Sequence, residues 1–271
     1  MEENVKFYIV PTPIGNLNDI TNRAISILNS VDIIACEDCR TTQNLLNHFD
    51  IKTKTVSYHK FNEKERVKLF LDIISEGKTV ALVSDAGTPL ICDPGSVLVE
   101  ELRKNNVKIS ALPGANAVIT FLSQIPRTGE DFAFVGFLPK TDSQIKNLLQ
   151  NFSHTNTVFY DSPNRLLKTL DCIKSFNPNA KIAVGRELTK IFEEIIVDSV
   201  DNVINYFQSH VLKGEIVAML YAKTPENFAQ DEILNKIKIL QDKKFSAKDI
   251  SIILSSLYNL KKNEIYKLTS K

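Results

Sequence analysis

The stretch VSDAGTPLICDPG, residues 83–95, decides how the rest of the chain is read. It grows out of TVALVS, residues 79–84, a nearly continuous apolar run. A strand covered on both faces has that composition. Asp85, Gly87, Thr88, Pro89, Asp93, Pro94 and Gly95 then follow in close succession. Turn-formers and small polar groups directly after a buried strand mark a loop at the carboxyl edge of a sheet, where open α/β folds hold their ligands. Asp93-Pro94-Gly95 reads as the start of the next helix.

Outward from this loop, short β-rich runs alternate with helical patterns. KFYIVP and VDIIAC read as strands, and VKISAL as a further one. Asp19 is expected to cap a helix whose apolar face is Ile20, Ala24, Ile27 and Leu28. TQNLLNHF is helical, and EKERVKLFLDIIS places Val67, Phe70, Leu71 and Ile74 on one face before Gly77 ends it. Further helices follow Gly95 and Pro113-Gly114. Such alternation predicts an α/β fold with a largely parallel sheet.

SQIPRTGED, residues 123–131, reads as a linker. Beyond it FAFVGF, TVFY, KIAVG, EEIIVDS and EIVAMLY are strand candidates, and helices fit at 141–152, 163–176 and 199–210. The strands crowd together here, so some antiparallel pairing is expected. KTPENFA, residues 223–229, reads as a second hinge. The expected division is 1–123 and 124–224 for two α/β domains and 225–271 for a helical, helix-turn-helix-like tail. In that tail Ile233, Ile237 and Leu240 line one helix. Ile250, Ile253, Leu254 and Leu257 line another, which Ser246 can cap.

Composition narrows the class. Apolar residues at 43% and charged residues at 24% suit a soluble globular protein of 271 residues, long enough to bury a core without staples. No apolar run approaches the ~20 residues that span a bilayer. MEENVKFYIV lacks a signal-peptide layout, so a cytoplasmic setting is expected. There Cys36, Cys39, Cys92 and Cys172 should be free thiols, with the Cys36/Cys39 spacing incidental. His48, His59, His154 and His210 make no metal cluster in sequence. Net charge is +1, yet residues 236–271 hold nine lysines against three acids. That excess fits a phosphate-binding tail or a solvated helical surface.

Four loops carry the candidate chemistry: VPTPIGNLND (10–19), CEDCRTT (36–42), the stretch at 83–95, and LPGANAV (112–118). In a parallel sheet all four share one edge. Gly15, Gly87, Gly114 and Gly185 each fall where a strand is expected to give way to a loop. The chain lacks G-x-G-x-x-G, G-x-x-x-x-G-K-[ST] and G-x-S-x-G. The residues alone lead to a cytosolic α/β enzyme with a small-molecule pocket at the strand ends.

Seven ordered blocks go further. YIVPTPIGNLNDIT, IIACEDCRTT, ALVSDAGTPLICDPG, LPGANAVI, FVGFLPK, FYDSPNRL and GRELTK together resemble the cytidine 2′-O-methyltransferases of small-subunit (16S) ribosomal RNA, which have the tetrapyrrole methylase fold. The resemblance covers about the first 222 residues, plus a tail similar to the helical extension of some members. It implies two α/β domains with S-adenosylmethionine in the cleft between them, a homodimer, and the small ribosomal subunit or its 16S RNA as partner. Pro11 and Pro13 stand where tetrapyrrole relatives have glycines, and Thr88 where they have an aspartate, which favours the RNA branch. Cys39 stands where that branch more often has threonine.

By the same resemblance the cofactor-binding residues are Pro13, Ile14, Gly15, Gly87, Thr88, Pro89, Ile91, Ala115, Asn116, Ala117, Tyr160, Asp161 and Ser162. The implied reaction carries a methyl group from a sulfonium to a ribose hydroxyl. It needs alignment and a base. Asp85, Glu37, Arg186 and Glu187 are the catalytic candidates, with Asp38 a further acid on the rim. Arg40 and Arg165, and also Arg186, are candidates to grip RNA phosphates. Each has a structural alternative: Asp85 on loop amides, Glu37 paired with Arg40, Arg186 with Glu187. Other readings are methylation of a tetrapyrrole or a protein side chain on this fold, and a non-catalytic ribosome-binding protein.

Overall fold

The computed structural model describes all residues except 1–3, 128, 223–224, 259–260 and 270–271. Five strands of the first half form one parallel sheet: β1 (Phe7–Ile9), β2 (Ile33–Cys36), β3 (Lys54–Ser57), β4 (Val80–Val83) and β5 (Ile109–Ala111). Their order is β3-β2-β4-β1-β5. The intervening helices are α1 (Asn22–Ser30), α2 (Cys39–His48), α3 (Glu63–Ser75) and α4 (Ser96–Lys104), and α5 (Ala117–Leu122) follows β5. Side chains alternate across the sheet as strand geometry requires. Tyr8, Ala81 and Val83 join Ala24, Leu28 and Leu46 on one face. Phe7, Val80 and Leu82 join Phe70, Ile74 and Leu98 on the other. All of β4 is buried, as its apolar run demands.

The second sheet is mixed. It contains β6 (Phe132–Phe137), β7 (Asn156–Asp161), β8 (Lys181–Arg186), β9 (Glu194–Ser199) and β10 (Ile216–Leu220), ordered β6-β7-β10-β8-β9. Only β6 and β7 run parallel. Helices α6 (Asp142–Asn151), α7 (Pro163–Phe176) and α8 (Val200–Ser209) cover one face through Leu149, Leu166, Leu170, Val203 and Phe207. The other face, with Val158, Ala183, Val217 and Met219, receives Val118, Phe121 and Leu122 of α5. This apolar contact joins the two sheets. The tail holds α9 (Pro225–Asp242), α10 (Ala247–Tyr258) and α11 (Lys262–Thr269) around Ile233, Ile237, Ile250, Leu254 and Ile265.

Several local expectations are corrected. Thr21, not Asp19, caps α1: its hydroxyl accepts from Ala24 N at 3.1 Å, while residues 17–19 form a separate tight turn. The strand β3 has no counterpart among the sequence-predicted strands. Its four residues, KTVS, lie half exposed at the sheet edge, and Val56 is the lone apolar side chain. Gly185 sits within β8 instead of after it. A Cβ there would lie 2.7 Å from the Phe121 ring, so the glycine admits α5. Gly77 does end α3, in the left-handed conformation at φ +87° one residue past the cap. Of the hinge 223–229, residues 223–224 are outside the described residues and 225–229 are helical. Leu257 is 71% exposed and does not join the tail core, whereas Ser246 does cap α10 by accepting from Asp249 N at 3.2 Å.

Candidate active site

The four loops after β1, β2, β4 and β5 meet at one edge because the sheet is parallel. Hydrogen bonds fasten them. Thr12 N donates to Gly87 O at 2.9 Å and Gly87 N to Thr12 O at 3.0 Å. Gly87 has φ +80°, a conformation most side chains disfavour. The Thr88 hydroxyl donates to Ala115 O at 2.9 Å, and Asp38 N donates to Asp85 Oδ1 at 3.1 Å. Asn116 caps α5 by accepting from Ile119 N at 3.2 Å.

These loops and the second sheet enclose a cavity of about 410 Å³, in the range of small-molecule sites. Its wall includes Ile14, Asp85, Gly87, Thr88, Ile91, Asn116 and Ala117 from the first half and Tyr160, Asp161 and Ser162 from the second. Pro13, Gly15, Pro89 and Ala115 are not in the wall. Pro13 and Pro89 are buried behind it. Ala115 serves through its carbonyl, and Gly15 lies under the Lys190 side chain. Sequence reading misses Asp93, Phe137, Leu188 and the stretch Gly214–Val217, which leads into β10. In sequence Asp93 reads as part of a helix start, but Gly95 alone takes that role, at the cap of α4. The β6–β7 register shifts between Phe134 and Phe137, and both rings pack on Tyr160, at 5.0 and 5.4 Å. FVGFLPK and FYDSPNRL carried that signal, but only the pairing of their strands reveals it.

Three acids gather on this edge. Burial pushes the carboxyls of Glu37, Asp85 and Asp93 up. The charges of Asp93 and Asp85 add to the shift at Glu37, and that of Asp85 adds to the shift at Asp93. His59 opposes the shift at Glu37, and the Ser84 hydroxyl opposes it at Asp93. Burial likewise pushes the Tyr160 phenol up to about 12, so it stays protonated. A buried acid with a raised folded pKa weakens folding once the pH exceeds its unfolded value, here near 3.8. Asp93→Asn should therefore raise the thermal midpoint at pH 7, with the gain shrinking toward pH 3–4. A midpoint at pH 7 no higher than the parent's would contradict this.

Other candidates are drawn elsewhere. Asp38 pairs with Arg40 at 2.7 Å, which lowers its carboxyl to about 2 and leaves it a weak base. Glu37 therefore lacks the proposed Arg40 partner. Arg186 binds Glu194 at 3.0 Å, not Glu187, and also donates to Lys213 O. Glu187 accepts from Lys190 at 2.8 Å and from Glu215 N at 2.9 Å, and Lys190 lowers its carboxyl. Neither lines the cavity. Arg165 donates to Leu138 O and Pro139 O, at 3.1 and 2.6 Å, and so braces the loop after β6. Asp161, its side chain fully buried, accepts from Ser162 N and the Thr169 hydroxyl, at 2.8 and 2.6 Å. Thr169→Val should cost about 1–3 kcal/mol, measured by urea unfolding, and Thr169→Ser should restore most of it.

The Cys36 and Cys39 sulfurs lie 3.0 Å apart as free thiols, so their spacing has a spatial consequence. Burial pushes Cys36 up, away from thiolate. Among the described residues no group of His, Cys, Asp and Glu could hold a metal ion, and no helix is long and apolar enough to cross a membrane.

A parallel sheet and a mixed sheet closing on one carboxyl-edge cleft define a class of methyltransferase folds. Cobalt precorrin-4 methyltransferase shares it with TM-score 0.60 at 17% identity, over 80% of this chain and 94% of that one. Diphthine synthase does so with TM-score 0.64 at 14% identity, over 80% and 90%. Residues 6–204 match the Tetrapyrrole (Corrin/Porphyrin) Methylases. The chain is 42% identical over 267 residues to the ribosomal RNA small subunit methyltransferase I of Vibrio cholerae, covering 96% of this chain and 92% of that one. It is 38% identical over 268 residues to that of Rickettsia prowazekii, covering 97% and 96%. The chain belongs to the tetrapyrrole methylase family and, within it, to the ribosomal RNA small subunit methyltransferase I group.

Proposed function

We propose that this chain methylates the 2′-hydroxyl of a cytidine ribose in 16S ribosomal RNA, using S-adenosylmethionine. The observation that carries the reading is the acid-rimmed cleft on a chain so close to named ribosomal RNA methyltransferases. The cleft suits the cofactor. Ile14, Ile91 and Leu188 offer apolar wall, the Phe137–Tyr160 pair offers aromatic surface, and Asp85 and Asp93 complement a cationic ligand. When bound, S-adenosylmethionine supplies an electrophilic methyl group.

The chain's own work is then alignment and proton removal. Asp85 is the favoured proton acceptor. Asp38 N holds Oδ1 and sets its orientation, while desolvation raises its basicity above that of an ordinary carboxylate. Glu37 and Asp93 keep that corner negative. Arg40, 91% exposed on its side chain, remains a phosphate contact, whereas the bonds of Arg165, Arg186 and Glu187 support structural roles. The same reading divides the chain at 123/124 and 224/225, supported by the end of α5 at Leu122 and the start of α9 at Pro225. It includes a cytoplasmic homodimer; exposed Ile191 and Phe192 offer apolar surface for pairing.

Labelled S-adenosylmethionine and hypomethylated small subunits test the reading. Label is expected in one cytidine ribose. Label absent from RNA, or found in porphyrin precursors offered in parallel, would overturn it.

A further inference from the structure

The loop between β3 and α3, residues 58–62, stands apart from the cavity wall yet belongs to the same edge. Tyr58 N donates to Cys36 O at 2.8 Å, which sets the loop beside Glu37. Glu63 accepts from the Tyr58 hydroxyl at 2.6 Å and from Gly95 N at 3.1 Å, tying it to the loop at 83–95. His59 is close enough to Glu37 for its charge to act there. Asn62 braces the turn: it accepts from His59 N at 2.8 Å and donates to Ser57 O at 3.3 Å. Phe61 N donates to His59 Nδ1 at 3.2 Å.

This bracing holds Phe61 in water, 95% exposed, with the His59 ring edge-on at 6.0 Å. Single exposed apolar residues are ordinary. What distinguishes this one is a fixed backbone, exposed Lys60 and Lys64 nearby, and its place on the ligand-binding edge. Since β2 separates β3 from β4, the loop lies about 10 Å from the β4 loop, two strand spacings. Its chain neighbours His59, Lys60 and Asn62 are polar, unlike the apolar centre of a protein interface. An exposed ring with lysines close along the chain is suited to stacking an unpaired base.

We infer that Phe61 is a stacking platform for an unpaired base of the RNA substrate, next to the nucleotide whose ribose enters the cleft, with Lys60 and Lys64 beside the phosphates. The inference rests on the RNA reading above.

Phe61→Ala should raise the KM for hypomethylated small subunits about 5- to 150-fold. It should leave kcat at saturating subunits within about twofold and cofactor affinity unchanged, and Phe61→Tyr should restore KM. The chain has no tryptophan, so Phe61→Trp installs a single reporter. Its emission should be quenched by a single-stranded, cytidine-containing oligoribonucleotide. Parental KM in Phe61→Ala, or emission unmoved by the oligonucleotide, overturns the platform even if the parent methylates subunits. Phe61→Ala sedimenting as a smaller species with parental KM assigns the ring to self-association and also overturns it. A parent inactive on subunits defeats the RNA reading separately, and the oligonucleotide titration still decides the platform.

Discussion

Asp85→Asn should lower kcat for methyl transfer about 10²- to 10⁴-fold, the usual worth of a positioned base. The change is nearly isosteric. Asparagine keeps an Oδ1 that can accept from Asp38 N, so the rim should stay closed. What goes is the ability to take a proton. The cofactor's Kd should move far less than kcat, because most of the cavity wall is untouched. The pH profile separates chemistry from packing. Burial raises the Asp85 carboxyl above its ordinary 3.8. Parental activity should therefore fall as the pH drops through that raised value and protonates the base. The variant should lose this acid limb. An unchanged kcat, or an acid limb that survives in Asp85→Asn, would remove Asp85 from the mechanism.

The second large effect involves no titrating group. Gly185→Ala places a Cβ 2.7 Å from Phe121 Cδ2 and 3.0 Å from its Cε2. Phe121 is fully buried between the two halves and cannot swing into solvent. The contact must be relieved by moving α5, whose first residue, Ala117, and cap, Asn116, line the cavity. Overpacking of this kind costs about 1–3 kcal/mol, or several degrees of thermal midpoint at about 2–4 °C per kcal/mol. Cofactor affinity should fall with it, because the displaced helix carries part of the wall. Calorimetry on the folded variant tests the coupling. A midpoint and Kd equal to the parent's would show that the ring relaxes locally.

Much of the cavity wall is legible in the sequence because its parts are local. Ile14, Gly87, Thr88, Ile91, Asn116 and Tyr160 stand in short blocks directly after strands, and a parallel sheet carries such blocks to one edge. Asp93 was misread because the Asp-Pro-Gly triplet signals a helix start equally well. Phe137 was missed because its aim depends on a register shift against β7. The edge strand β3 escaped since four half-exposed residues carry almost no alternation.

The sequence alone therefore determined the α/β alternation, the parallel sheet, the edge at which the cavity lies and the family. The first three follow from periodicity and turn chemistry within windows of a few residues, and the family from the resemblance of the seven ordered blocks. Tertiary structure decided which charged groups remain available. Arg186 is claimed by Glu194, Glu187 by Lys190 and the backbone of Glu215, and Arg165 by carbonyls at 138 and 139. Asp85, Glu37 and Asp93 are left within reach of one another's charge in a partly desolvated corner. Most of these outcomes join residues far apart along the chain. The energy of a charge is set by what surrounds it in space, and folding alone assembles those surroundings.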